Sequence, residues 1–430
     1  MKILIIHYRY YITGGPERYL FNLKRALEDR GHQVIVFSRK LFQNEDNEYK
    51  DYWVDNIGKS NSIYYADTKK TIGTYCDMLF REFYSLKCKK AVKRLIRDTH
   101  PDICYLMVYK GVFSPSVINA CKEMNLPVVN RISDYNPMCG ACSLYRDGHF
   151  CKDCFRDNDW SCLKHRCVKN SFYLSTARYL SMRLHSWMRV NDKISAFVCT
   201  NGFMKQMLLE RGLAKENKIH VIPTFFHETE KLTSVSKAFP DFENGLRLLY
   251  IGNIDESKGI YDLLNALKVL VKKHQNLHLD IVGGLHGEEN SKMESFIKLW
   301  GLTNYITFQP FKHDGDVFDY YLNTHVTIIP ARWSENLPNT LIESLYFHRP
   351  VIVPNSGSFQ FTTDESVAFR YKSQSVDALI KILMDIVANP EKLRLKSDNC
   401  ACFFQQHFSE EGHLNELINL FKRTIENEDI

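Results

Sequence analysis

Two carboxylates with seven residues between them, Glu335 and Glu343, sit in the stretch Trp333-Ser334-Glu335-Asn336-Leu337-Pro338-Asn339-Thr340-Leu341-Ile342-Glu343-Ser344. Pro338 suits the first position of a helix, because its ring presets φ and it has no N–H to lose. The N–H groups of Asn339 and Thr340 then lack intrahelical partners and point out of the helix end. The macrodipole favours an anion such as phosphate at that end. Two carboxylates would repel the phosphate. Glu335 on the loop and Glu343 inside the helix suit hydroxyl groups instead, as acceptors from a sugar and a ribose. On spacing alone, the same residues also describe a solvated acidic loop followed by an amphipathic helix.

Two glycine-containing loops add to the candidates. Tyr250-Ile251-Gly252-Asn253-Ile254-Asp255-Glu256-Ser257-Lys258-Gly259 sits at a strand-to-helix junction, where Lys258 would offer a point charge to phosphate. An isolated lysine there is otherwise a solvated surface residue. Near the N-terminus, Ile12-Thr13-Gly14-Gly15-Pro16-Glu17-Arg18 pairs two glycines that let backbone approach a ligand, with Pro16 opening a helix. A simple tight turn is the equal alternative. Gly-x-Gly-x-x-Gly is absent, which counts against an oxidoreductase.

Six of the 13 cysteines fall in one segment: Cys139, Cys142, Cys151, Cys154, Cys162 and Cys167. The first four form Cys-x2-Cys, eight residues, Cys-x2-Cys, a spacing that can present four thiolates to a structural zinc ion. Cys162, Cys167, His149 and His165 compete as ligands, and disulfides, free thiols or an iron–sulfur cluster are the other outcomes. Such a closed site would pin a loop and do no chemistry.

These groups must be held by a scaffold, and the hydrophobic pattern supplies one. Strands are expected at 2–7, 33–38, 103–108, 128–132, 197–200 and 220–223, with helices over 16–30 and 115–124. After a polar stretch, strands recur at 246–252, 277–282, 305–309, 326–329 and 351–353, and a last helix spans 410–426. Alternation of this kind means parallel sheets covered by helices. The expected organisation is a Rossmann-like domain over 1–225 with a cysteine-rich insert at 136–170, a linker at 226–244, a second Rossmann-like domain over 245–408, and a C-terminal helix at 409–430 crossing back to the first domain. A ligand cleft is expected between the strand ends of the two doubly wound domains. Basic and aromatic residues interleave from Lys164 to Arg189 (Tyr173, Leu180, Leu184 and Trp187 among Arg178, Arg183 and Arg189). That helix would either pack with solvated arginines or lie on an anionic membrane surface.

Composition is that of a globular protein: 44% hydrophobic and 25% charged residues, with no apolar run long enough for a membrane span. The short apolar start from Met1 to Tyr8 reads as a buried strand and not as a signal peptide. The expectation is a cytoplasmic protein, with peripheral contact to the inner face of the membrane left open. A net charge of +6 is mild and does not argue for nucleic acid.

Taken in order, these motifs resemble the family-four glycosyltransferases, retaining enzymes of the GT-B fold. The matching residues are Gly14-Gly15 with Glu17, then Gly31-His32-Gln33-Val34, Gly252 through Lys258-Gly259, Glu335 through Glu343, and Arg349-Pro350-Val351-Ile352. The resemblance implies a nucleotide-diphosphate sugar donor of UDP or GDP type and a glycan or lipid-linked acceptor in cell-surface polysaccharide assembly. It assigns Glu335 to the donor sugar as the catalytic-site carboxylate, Lys258 to the diphosphate and Glu343 to the ribose. The backbone of Gly14, Gly15, Asn339 and Thr340 would complete the phosphate cradle, with no cofactor needed for catalysis. Asn253 stands where the family usually has arginine, with Arg332 as a candidate replacement. Ser133-Asp134 stands where it often has His-Asp, on the acceptor side. A sugar-nucleotide epimerase or phosphorylase of the same fold, a zinc-knuckle binding protein and a non-catalytic scaffold are the rival readings.

Overall fold

The computed structural model describes residues 1–59, 71–284, 287–310, 312 and 315–426. The chain separates into two compact units: 1–146 with 151–222 and the chain from His413 onward, and 147–150 with 223–412.

The first unit is built on one parallel sheet. Its strands are β1 (Lys2–His7), β2 (Gln33–Phe37), β3 (Ile103–Val108), β4 (Val128–Ile132), β5 (Ala196–Cys199) and β6 (Ile219–Val221), in the order β6-β5-β4-β3-β1-β2. Ile3, Leu4, Ile5 and Ile6 of β1 are fully buried, as a strand covered on both faces requires. Helix α1 (Gly15–Asp29) lays Leu20, Leu23 and Leu27 on this sheet at helical spacing. Strand order reverses between β1 and β3, so the loops after those strands diverge and leave a crevice.

Two further helices, α2 (Ile72–Phe83) and α3 (Phe172–Trp187), pack on each other in this unit. Arg178 and Glu82 join them at 3.1 Å, and the His185 ring meets the Phe83 carbonyl at 2.9 Å. The basic–aromatic stretch therefore becomes a regular helix only from Phe172, capped by Ser171, whose Oγ accepts from the Leu174 N–H.

The second unit repeats the plan. Strands β7 (Leu246–Ile251), β8 (Leu277–Val282), β9 (Ile306–Gln309), β10 (Val326–Ile328), β11 (Val351–Pro354) and β12 (Ala368–Tyr371) form a parallel sheet in the order β9-β8-β7-β10-β11-β12. This is the order of a dinucleotide-type Rossmann sheet, with its switch point between β7 and β10. Helix α4 (Ile260–Leu270) follows β7, and α5 (Asn339–Tyr346) follows β10. Strand β12 escapes the sequence pattern because its middle residues, Phe369 and Arg370, are half-exposed at the sheet edge.

Residues 226–244, expected as a linker, belong to the second unit. Phe226 packs on the Tyr346 ring at 4.3 Å, and Phe242 stacks on His325 at 4.5 Å. Arg349 fastens this segment. Its fully buried guanidinium donates to the carbonyls of Ala238 (2.8 Å), Lys237 (3.2 Å), Tyr321 (2.8 Å) and Leu322 (3.0 Å). The last helix, α6 (Glu410–Ile425), counts with the first unit from His413 on. There His413 Nε2 lies 2.9 Å from the Tyr19 hydroxyl, and Phe421 packs against Tyr105.

Candidate active site

The two loops at the switch point of the second unit carry the residues singled out by their chemistry. Asp255 Oδ1 accepts from the Lys258 N–H at 3.1 Å and closes a short turn. Gly259 ends that turn at φ +73, and a Cβ there would lie 1.9 Å from the Pro330 carbonyl oxygen. Only glycine permits this approach of the β7 loop to the β10 loop. The Ser257 carbonyl then accepts from the N–H groups of Arg332 (2.8 Å) and Trp333 (3.3 Å), which fixes the two loops in register.

Held this way, Lys258 Nζ meets Glu335 Oε1 at 2.6 Å, and the same oxygen accepts from Trp333 Nε1 at 2.8 Å. The Lys258 amine also lies 4.8 Å from the centre of the Trp333 ring. Glu335 is buried at 7% exposure, whereas a quarter of the Lys258 side chain is open. The carboxylate is thus the fixed partner and the amine the accessible one.

Helix α5 begins beside this pair. The helix starts one residue later than the sequence suggested. Pro338 is the residue before it, in extended conformation (φ −72, ψ 134), and Asn339 is the first helical residue. No side chain caps this end, so the leading N–H groups keep their anion-binding character. Thr340 Oγ1 donates to the Ile251 carbonyl at 3.3 Å and pins the helix start to the end of β7. Glu343 is buried, and its Oε2 accepts from the Tyr321 hydroxyl at 2.8 Å. Tyr321 is thereby a site residue that the sequence did not announce.

Two expectations shift. Asn253 has an exposed side chain, and its carbonyl accepts from the Tyr250 hydroxyl at 2.6 Å. Arg332, the expected stand-in for the absent arginine, is already gripped. Its Nε and Nη2 donate to Asp262 at 2.7 and 2.6 Å, and its Nη1 to Glu256 at 2.9 Å. A guanidinium held by two carboxylates works as a strut between the loop and α4, not as a phosphate clamp.

In the first unit, Gly14 is the residue before α1 and Gly15 its first residue, so the predicted backbone corner is present. Glu17 lies beneath it, with Oε1 at 3.2 Å from His7 Nε2 and 3.4 Å from Arg9 Nε, and Oε2 accepting from Thr13 at 3.1 Å. Burial would raise the Glu17 carboxyl, but the His7 contact, Arg9 and Thr13 together hold it below the usual range. Burial pushes the His7 ring the other way, toward its neutral form.

Ser133 and Asp134 follow β4 directly and are half-buried. Burial raises the Asp134 carboxyl, against its bond from the Asn136 N–H and the charges of Lys110 and Arg178. Lys110, two residues past β3, is pushed down to about 8 by burial, with Arg178 adding to the effect. Lys110 is not among the residues that the motifs single out. Its place just beyond a strand end at the switch point was the available signal.

The cysteines divide differently from their spacing. Cys139, Cys151 and Cys154 line one small cavity together with Cys167. Cys142 turns away: its thiol faces the Gly140 carbonyl at 3.8 Å and is approached by Arg178 at 3.9 Å. All 13 are thiols. Among the described residues, no three His, Cys, Asp or Glu side chains already stand as a group able to hold a metal.

The family model "Glycosyltransferase Family 4" matches residues 13–131, and "Glycosyl transferases group 1" matches residues 233–400. The capsular polysaccharide biosynthesis glycosyltransferase CapM of Staphylococcus aureus is 26% identical over 219 residues, 47% of this chain and 56% of CapM. The chain therefore aligns with about half the length of that relative. A sucrose-phosphate synthase from Thermosynechococcus elongatus superposes with a TM-score of 0.67 at 16% identity, covering 99% of this chain and 100% of the other. HepE of Anabaena in complex with UDP superposes with a TM-score of 0.62 at 14% identity, covering 98% and 100%. The two parallel-sheet units have the GT-B fold, and both matched models describe glycosyltransferase families. Among glycosyltransferases of that fold, the chain belongs to family four.

Proposed function

We propose that the chain transfers a sugar from a nucleoside-diphosphate donor to a glycan or lipid-linked acceptor with retention of configuration. The Lys258–Glu335 pair at the switch point carries this reading, because it sets a cation and a sugar-type acceptor side by side at an uncapped helix end. An arriving diphosphate competes with Glu335 for the Lys258 amine and extends onto the N–H groups of Asn339 and Thr340. Glu335, released from the amine, accepts from hydroxyls of the donor sugar. Glu343, steadied by Tyr321, accepts from the ribose.

In the reaction, the bond from the anomeric carbon to the diphosphate oxygen breaks as the acceptor oxygen bonds the same face. The acceptor proton passes to the departing phosphate oxygen. Lys258 and the helix N-terminus stabilise the charge that develops there. Retention and independence from a catalytic metal follow the family resemblance. A UDP-type donor is supported by the UDP complex of the structural neighbour, and a surface-polysaccharide role by the name of CapM.

Peripheral contact with an anionic membrane is supported by the outer sides of α2 and α3. Ile72, Leu79 and Phe80 on one and Phe172, Tyr173 and Trp187 on the other are exposed, with Arg183 and Arg189 beside them. Among the described residues, no helix is long and apolar enough to cross a membrane.

The test is a thermal-shift screen of the purified chain against UDP, GDP, ADP, CMP and their sugar conjugates. A ligand that binds the folded state raises the midpoint by mass action. A shift confined to one nucleoside-diphosphate family supports the donor site and names its base. No shift in folded protein overturns it.

A further inference from the structure

We propose that Cys139, Cys151, Cys154 and Cys167 bind one structural divalent metal ion, zinc by the softness of the ligands. This does not rest on the transfer reaction.

Three observations carry the assignment. First, the four residues line one cavity of about 60 Å³. That space suits an ion and its ligands and is far below the ~300 Å³ of a small-molecule pocket. They reach it from four separate places: the loop after β4, the chain after the turn at 147–150, the short helix Asp153–Arg156, and the turn after the short helix Trp160–Lys164. An ion there would tie together a segment whose own regular structure is slight.

Second, that segment is strained. Of the 14 described non-glycine residues with positive φ, eight lie between Cys142 and Asn170: Cys142, Leu144, Asp147, Asn158, Asp159, Arg166, Lys169 and Asn170. Such conformations persist only where surrounding contacts over-determine them. Short helices of four and five residues bring too little apolar burial to do this alone.

Third, the lining selects among the cysteines. Arg146 and Lys152 line the same cavity, each already paired with a carboxylate, Asp153 and Glu210. The other candidate ligands do not line the cavity. Cys142 faces the Arg178 cation, and exposed His149 bonds the Asp147 carbonyl. Cys162 stands behind the lining, under Gly140 and with its thiol against that of Cys167. The thiols must close inward onto the ion, so metal binding and ordering of this segment are one process. Thiolate softness and a closed four-ligand shell select zinc over magnesium or calcium.

The experiment measures metal content by mass spectrometry of full-length protein purified under reducing conditions without chelator, for wild type, C167A, C154A and C142A. About one zinc per chain is expected in wild type and in C142A, with loss in C167A and C154A. Cobalt exchange into wild-type protein needs no variant and should give the thiolate charge-transfer and intense d–d bands of a tetrahedral sulfur site. Three results overturn the proposal: folded protein with neither zinc nor a cobalt–thiolate spectrum; disulfides joining these cysteines in the purified chain; or C142A losing the metal while C167A keeps it. If C167A fails to fold, the cobalt spectrum of wild type decides.

Discussion

Replacing Lys258 with methionine keeps the length of the side chain and removes its charge, leaving the buried Glu335 carboxylate with one cation fewer. A hydrogen bond to a charged group is worth about 1.5–3 kcal/mol, and stripping one partner from a fully buried pair costs about 3–5 kcal/mol. Lys258 is a quarter exposed and Trp333 still donates to the carboxylate, so the cost falls at the lower end, about 2 kcal/mol. In a Glu335→Gln background the same change should cost under about 1 kcal/mol, because a neutral amide needs no cation. Urea unfolding followed by tryptophan fluorescence measures both values. Calorimetry with the nucleoside diphosphate measures the second consequence. K258M should weaken binding by ~30-fold, the equivalent of about 2 kcal/mol. E335Q should leave diphosphate affinity equal or tighter, because the amine no longer has a competitor. Equal stability costs in both backgrounds would show that the two side chains do not interact. Unchanged affinity in K258M would remove Lys258 from the phosphate site.

Gly259→Ala should destabilise the second unit by more than about 3 kcal/mol in denaturant unfolding, since a Cβ at φ +73 collides with the Pro330 carbonyl; a mild effect would mean the loops are not held as described. Tyr321→Phe removes the hydroxyl that steadies Glu343 and should cost about 1–2 kcal/mol of stability while raising KM for the donor more than it lowers kcat. For Lys110, held near 8 in the folded chain, the unfolded lysine keeps its proton up to ~10.4. Between those values the unfolded state binds more protons, so stability should rise with pH across that window, and Lys110→Met should flatten the rise in unfolding midpoints taken from pH 7 to 10. Trp187→Ser with Tyr173→Ser should lower co-sedimentation with anionic vesicles and leave binding to neutral vesicles unchanged; equal sedimentation on anionic vesicles would sink the membrane face.

Much of the scaffold was legible because the buried strands are written as uninterrupted apolar runs. Lys2–His7, Ile103–Val108, Val128–Ile132 and Leu277–Val282 fall on the residues the pattern indicated. The chain could also be placed in its family from the order of its motifs. Partnership was harder to see. Lys258 and Glu335 each resemble a solvated charge in sequence, and only the parallel crossover through β8 and β9 brings residues 77 apart to 2.6 Å. Arg332 looked available because its captor, Asp262, is hidden in the first turn of α4, where an acid also serves the helix dipole. The surroundings of the cysteines were not readable from their spacing: Cys142 sits at φ +61 with its thiol against the Gly140 carbonyl and Arg178.

Arg349 has a consequence for anyone who would recombine these units. A boundary at residue 245 looks natural, since β7 starts just beyond it. A chimaera cut there would discard Lys237 and Ala238, and with them two of the five carbonyls that hold the buried guanidinium. The graft would inherit a cation short of partners, at a cost in stability. Donor specificity should therefore be transplanted with the seam at Pro223, carrying the apparent linker along as part of the module that it fastens.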